Sequence, residues 1–358
     1  MLAVRSALGR FPLVRRFRPP CPPLPERIAE LHHLSELATQ QGDIRKGSAV
    51  YNLAALIAVD SGLPHLAREL CWQHANLYLQ HQPLPGQWAC FALEPLVNLA
   101  QIHNRLGHGE RAFQLLTNLH RATTSASDTT LDGTPLSVAA LARTLQDQRQ
   151  LREWANGVYR QDGARALVAA DQWSAANAHL QQGNCTSSRM FEARQIAVIA
   201  LITSGETAQA LTMLRATEPG EPWEQAVTAC LEALCDAWSV TPALDIYQRL
   251  ELAKEHVVFH TRLGLALIDT ATRADHGFPE HHATTLIEHV LNAGDGYAAR
   301  DLLNHPACSE FLDAHRLQKL CVTVAACALS QGQSAEQLRE RLATALAASA
   351  AVIHRTLS

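Results

Sequence analysis

Lysine is almost missing from this chain of 358 residues: Lys46, Lys254 and Lys319 stand among 30 basic residues that are otherwise arginine. With 34 acidic residues the formal net charge is −4, and this near-balance leaves no electrostatic footprint for nucleic acid. Aromatic residues make up only 5%. No alternating run bounded by turn signals reads as a strand, which argues against a sheet protein. No uninterrupted apolar stretch reaches the roughly 18 residues that a transmembrane helix needs. The phosphate-cradling patterns G-x-x-x-x-G-K-[ST] and G-x-G-x-x-G are missing, and so is G-x-S-x-G.

Metal and redox patterns are also lacking. The nine cysteines are scattered. Cys71, Cys230, Cys235, Cys321 and Cys327 sit in apolar helical runs, and Cys230 and Cys235 do not have C-x-x-C spacing. Reduced, buried thiols in a cytoplasmic protein explain them better than a disulfide framework. Histidine is abundant at 18. The pairs His32-His33 and His281-His282 do not face one another on a helix. His256 and His260 do share a face, with Glu255 before them, but two histidines without a third ligand make a poor metal site. No metal and no cofactor are therefore expected, and no catalytic residue is singled out.

What is present is alanine and leucine, which carry much of a 47% hydrophobic content. That bias predicts an all-α fold. The length suits two ordinary domains or one long repeat array. Residues 1–25 differ from the rest, with Arg5, Arg10, Arg15, Arg16 and Arg18 and no acid before Glu26. They read as a disordered basic tail ended by prolines from Pro19 to Pro25, with a targeting segment or a membrane-surface arm as alternatives. Residues 26–350 read as one helical domain and residues 351–358 as a C-terminal tail.

Short breaks punctuate the helical periodicity at Gly42-Asp43, Ser61-Gly62, Gly107-His108-Gly109, Gln161-Asp162-Gly163, Ser204-Gly205, Gly294-Asp295-Gly296 and Gln331-Gly332. Glycine there supplies the left-handed conformation that ends a helix. A unit recurs around four of these breaks. Gly62 is followed by Ala67 and Cys71, Gly107 by Ala112 and Leu116, Gly205 by Ala210 and Leu214, and Gly294 by Ala299 and Leu303. The glycine turns the chain, the alanine sits where the two helices cross most closely, and the apolar residue one turn later fills the core. Asp171 occupies the glycine slot of a degenerate unit with Ala176 and Leu180, 34 residues before Gly205.

This spacing resembles that of tetratricopeptide repeats, and 34 residues is their period. The best single match is VNLAQIHNRLGHGERAFQLL; YNLAALIAVDSGLPHLAREL and RQIAVIALITSGETAQALTML match with one extra residue. The resemblance covers residues 44–303 in patches. It implies a solenoid of antiparallel helix pairs wound as a right-handed superhelix, with a concave groove that grips a peptide or a helix. It places Asn98, Gln101 and Arg105 in that groove, and, by the looser matches, Asn52 and Gln195 with Arg194 beside it. An asparagine there could clamp a peptide backbone with its donor and acceptor together.

Two stretches break the pattern. Residues 123–134 read as a mobile polar loop, and residues 135–159 as one long helix with a solvated polar face. The run Gly-Glu-Pro-Trp-Glu from Gly220 reads as a helix start, with Pro222 in the first turn and Trp223 stapling it to a neighbour. The expected function is a non-catalytic, cytoplasmic scaffold or regulatory protein with a protein or peptide partner. The chain is similar to the repeat-bearing sensor portions of actinobacterial regulators but lacks their helix-turn-helix, so neither direct nucleic-acid binding nor membrane attachment is expected. The rival expectation is an enzyme, or an accessory factor of a biosynthetic pathway, with a pocket closed by helical repeats.

Overall fold

The computed structural model describes every residue except 1–5, 17–20, 184, 275–278 and 330–333. The expected Gln331-Gly332 break and part of the expected basic tail lie outside the described residues. The described residues are helical almost throughout, and their one sheet is a two-stranded hairpin. No helix among them is long and apolar enough to cross a membrane.

The single domain expected over residues 26–350 is two compact units. The first, here the hairpin unit, comprises Leu24–Ala170 and Ser330–Ser358. The second, here the strap unit, comprises Met1–Pro23 and Asp171–Leu329. Sequence periodicity alone does not register this division, because helix turns inside a unit and between units carry the same signals.

In the hairpin unit the helices are α1 (Leu24–Gln41), α2 (Ile44–Asp60), α3 (Pro64–Leu79), α4 (Gly86–Arg105), α5 (Gly109–Ser125), α6 (Leu145–Ala169) and α17 (Ala335–Leu357). Consecutive helices pack on one another from α1 to α6, α4 also meets α6, and α17 returns to cover α1, α2 and α3. The C-terminal tail expected at residues 351–358 is therefore helix through Leu357, with Val352 and Ile353 buried. Helix α6 starts at Leu145, later than the helix read from residue 135, because Thr144 and Asp147 form a capping box there. It then runs through the expected break at Gly163, which is buried inside it.

The loop expected at residues 123–134 is largely ordered. Thr123 belongs to α5 and is buried. Strands β1 (Thr129–Leu131) and β2 (Thr134–Leu136) pair antiparallel, with Leu131 opposite Thr134. Asp132 and Gly133 form the turn with φ of 49° and 81°, the conformation that an Asp-Gly hairpin requires. The Asp-Gly pair was a usable signal, masked by the surrounding serines and threonines. Arg68 Nε and Arg111 Nη2 hold Asp132 at 2.6 and 2.5 Å.

The strap unit contains α7 (Trp173–Gln182), α8 (Glu192–Thr203), α9 (Thr207–Arg215), α10 (Pro222–Cys235), α11 (Val240–Gln248), α12 (Val257–Arg273), α13 (Glu280–Ala293), α14 (Gly296–Leu303), α15 (Pro306–Glu310) and α16 (Ala314–Ala326). Consecutive helices pack here too, while α10 also meets α12, α12 meets α14, and α14 meets α16. Helix α10 opens as the sequence implied: Pro222 is at its start, Glu221 and Glu224 form a capping box, and Trp223 is buried.

The recurring turn unit has a clear physical basis. Gly42, Gly62, Gly107, Gly205 and Gly294 all have positive φ, and so does Asp171 at 58°. Asp171 pays for that conformation locally, since its carboxylate accepts the Trp173 indole N–H at 3.0 Å. The crossing alanines Ala67, Ala112, Ala210 and Ala299 are buried to within 1%, and so is Ala176 after Asp171. In the last unit the core position falls to Leu302, with Leu303 half-buried. Gly109 marks another close approach, because a Cβ there would lie 2.4 Å from the backbone nitrogen of Ala170.

Ala112→Leu and Ala210→Leu should each lower unfolding free energy by roughly 1–3 kcal/mol through overpacking. Ala175→Leu, on the exposed side of α7 next to buried Ala176, should be near neutral. Chemical denaturation of the three variants checks this, and equal stabilities would sink the assignment of the crossings.

Candidate polypeptide-binding surfaces

The strap unit grips a stretch of its own chain. Residues 6–8 form a helical turn, closed by Arg10 N–H to Ala7 O at 3.2 Å and Phe11 N–H to Leu8 O at 3.0 Å. Beyond it the chain leaves helical geometry. Phe11 and Leu13 are buried while Pro12 and Val14 are half-buried. Two apolar side chains, one on each side of Pro12, thus face the core. Ala7, Leu8 and Cys21 are buried as well. For these described residues the disordered-tail expectation is corrected: apolar side chains interspersed among the arginines supply a packing face that composition concealed.

One side chain does most of the gripping. Gln195, the fourth residue of α8, is fully buried. Its Oε1 accepts the Leu13 N–H at 2.6 Å, and its Nε2 donates to the Leu13 carbonyl at 2.7 Å and to the Met190 carbonyl at 3.0 Å. A primary amide carries the donor and acceptor needed to satisfy both backbone groups of one residue. The clamp fixes register, because a slip by one residue would turn the Leu13 side chain away from the core.

Ionic contacts flank the clamp. Arg16 Nη2 meets Glu192 Oε2, in the first turn of α8, at 2.5 Å. Arg10 Nη2 lies 3.4 Å from Asp269 Oδ2, which also accepts the Ser6 hydroxyl at 2.9 Å. The other oxygen of Asp269 pairs with His305 Nε2 at 3.0 Å. His305 Nδ1 accepts the Cys308 N–H, which leaves the ring proton on Nε2 to donate to Asp269. Burial pushes the Asp269 carboxyl upward, but the hydrogen bond from His305, the Arg10 guanidinium and the Ser6 hydroxyl outweigh it and hold it below the usual carboxylate range. A second anchor lies at Cys21. Its N–H donates to Asp295 Oδ2 at 2.7 Å, and its carbonyl accepts from Gly296 N–H and from the Cys327 thiol, each at 3.0 Å.

The groove residues expected from the repeat alignment fall in two places. In the hairpin unit, Asn98 on α4 donates to Asn52 on α2 at 3.0 Å, and Arg105 reaches buried Asp60 at 2.9 Å. Arg27 holds the other Asp60 oxygen at 2.8 Å. Asn52, Asn98, Gln101 and Arg105 are thus brought onto the adjacent helices α2 and α4; Gln101 and Arg105 are exposed, and the two asparagines are half-buried. In the strap unit, Gln195 contacts a peptide segment directly. Arg194 beside it points elsewhere, with Nη2 on the Met213 carbonyl at 2.7 Å and Nε on Thr217 Oγ1 at 2.9 Å, where it satisfies the C-terminal turn of α9.

Sequence reasoning missed Glu192, Asp269 and Asp295. Glu192 and Asp269 are single acids on helices and Asp295 caps the start of α14, with nothing local to mark this role; it arises from long-range contact with the start of the chain. Among the described residues, no group of three or more His, Cys, Asp or Glu could hold a metal ion. No family model, no curated protein and no solved structure matches the chain.

Gln195→Leu should destabilise the strap unit by about 1–3 kcal/mol, because it leaves the Leu13 backbone groups without partners. Deleting residues 1–16 removes buried Leu8, Phe11 and Leu13, each worth roughly 1.5–3 kcal/mol at most. The melting temperature should fall by at least about 8 °C. A fall within about 2 °C would mean that the segment adds nothing to the fold.

Two imidazoles set a pH dependence. Burial pushes His74 down to about 3, where it stacks on Tyr51 at 5.2 Å. Burial also pushes His260 down to about 3, helped by the nearby charges of His289, Arg15 and His256. Unfolded histidine titrates near about 6.5, so below that pH the unfolded chain takes up protons that the native state refuses. Stability should therefore fall as the pH drops from 7 towards 4. The slope should flatten in His74→Phe and His260→Leu variants, as read from melting temperatures across that range.

Proposed function

We propose that this chain is a non-catalytic binding protein of the tetratricopeptide-like kind, which holds an extended segment of a protein partner against the polar faces of its helices. The observation that carries the reading is the paired hydrogen bond between Gln195 and Leu13: a buried side chain on one of these helices takes both backbone groups of a residue that lies outside any helix. The recurring left-handed turns and buried crossing alanines support the helical-repeat part of the reading, in which each unit is a short right-handed array with a concave side. In the hairpin unit, exposed Gln101 and Arg105 beside Asn52 and Asn98 form the corresponding face.

In this reading the chain serves a regulatory or scaffolding role in the cytoplasm, as the sensor portions of actinobacterial regulators do, without reading nucleic acid itself. Nine free thiols suit that compartment.

Panning short random peptides on the full chain tests the proposal. Enriched extended sequences are expected, and their binding should weaken at least tenfold in Gln195→Leu or in the combined Asn98→Ala, Gln101→Ala, Arg105→Ala variant, with circular dichroism unchanged. For a peptide whose carboxylate pairs with Arg105, Arg105→Ala alone should cost about 1–3 kcal/mol. Enrichment indifferent to both sets of changes would rule the surfaces out. Turnover of a small molecule, lost on mutating a buried histidine or acid, would overturn the reading in favour of an enzyme.

A further inference from the structure

We propose that residues 6–16 are a self-ligand: they occupy the peptide site of the strap unit, and the partner that competes for that site is a peptide with two apolar residues around a proline, between two arginines. This rests on the peptide-binding reading above and names its ligand class.

Three features define the ligand. The first is backbone recognition. Gln195 takes the N–H and carbonyl of Leu13, which demands an extended main chain and is indifferent to side chain. The second is a pair of apolar seats, filled by Phe11 and Leu13, at 4% and 3% exposure. The third is charge. Asp269 receives Arg10 and Glu192 receives Arg16, so carboxylates stand at both ends of the apolar pair and select for basic residues. In the segment as a whole, five arginines and no acid precede Glu26. Charge complementarity therefore extends beyond a chance contact.

The contacts are of the reversible kind. Arg16 is half-exposed at its ion pair, with 52% side-chain exposure, and the polar attachments of residues 6–16 are made to helix side chains rather than as rungs of a sheet. Tethering works in the strap's favour, since a short linker gives an effective concentration on the order of millimolar. The site is consequently closed by default, and only a partner that binds well, or that arrives on a second anchored contact, displaces the strap.

The test uses the full chain in three forms: wild type, a strap-loosened Phe11→Ala/Leu13→Ala variant, and the loosened variant carrying Gln195→Leu. The probe is a fluorescent peptide with the sequence of residues 6–16, followed by anisotropy. The loosened variant should bind the peptide at least tenfold more tightly than wild type. Adding Gln195→Leu should abolish the gain, and a peptide with both flanking arginines replaced by glutamate should not bind. Should the double variant fail to fold, Arg10→Ala/Arg16→Ala loosens only the ion pairs and takes its place. Hydrogen exchange over residues 6–16 reports whether the strap has left. Strap release with an intact fold but no peptide binding overturns the proposal, as does equal binding to all three forms. Light scattering that shows the loosened chain pairing with a second copy, to the exclusion of the peptide, also overturns it. If panning selects acidic or strap-unlike peptides that still depend on Gln195, the self-ligand fails while the peptide-binding reading stands.

Discussion

Close crossing of helices is the constraint on which both units depend. Two helices joined by a two- or three-residue turn must pass near each other at their first contact, and only a small residue leaves room. Ala67, Ala112, Ala210 and Ala299 stand at those points with almost no exposed surface. The turns themselves need a left-handed residue, supplied by glycine or, once, by Asp171 with its own hydrogen bond to Trp173. Where an approach is closer still, as between Gly109 and the end of α6, no Cβ fits at all. Large aromatic residues would not suit such a scaffold, which agrees with their scarcity in the composition.

Upon this rigid stacking the strap unit adds a softer element. Residues 6–16 do not extend the helical array; they lie against it through four buried side chains, Ala7, Leu8, Phe11 and Leu13, one amide clamp and two ion pairs. The difference matters energetically. A helix end is held by many backbone bonds at once, whereas the strap is held by contacts that each contribute about 0.5–3 kcal/mol and that can be replaced one for one by another peptide. Local opening at the strap therefore costs less than opening of the helices. Function in the proposed reading lives in that gap.

The polar residues divide along the same line. Asn52 with Asn98, Arg105 with Asp60 and Arg27, and Arg194 with the end of α9 all satisfy one another or the backbone. Such bonds position the face on which Gln101 is exposed. In the strap unit the equivalent polar capacity of Gln195 and Asp269 is already engaged by the chain itself.

Local chemistry made much of this legible before any tertiary contact was known. Helical class, most of the tight turns and the start of α10 follow from propensity, capping and short-range spacing, which act within a few residues. Even the missed hairpin had its signal in Asp132-Gly133. What only the tertiary structure decided is everything that joins distant residues: the division into two units, the return of α17 onto α1, α2 and α3, and the seating of Leu13 on Gln195, 182 positions away. Glu192, Asp269 and Asp295 became partners of the strap for the same reason. An isolated acid, or an apolar residue in a proline- and arginine-rich stretch, carries no mark of what it will meet, because that is settled by where the helices place their surfaces in space.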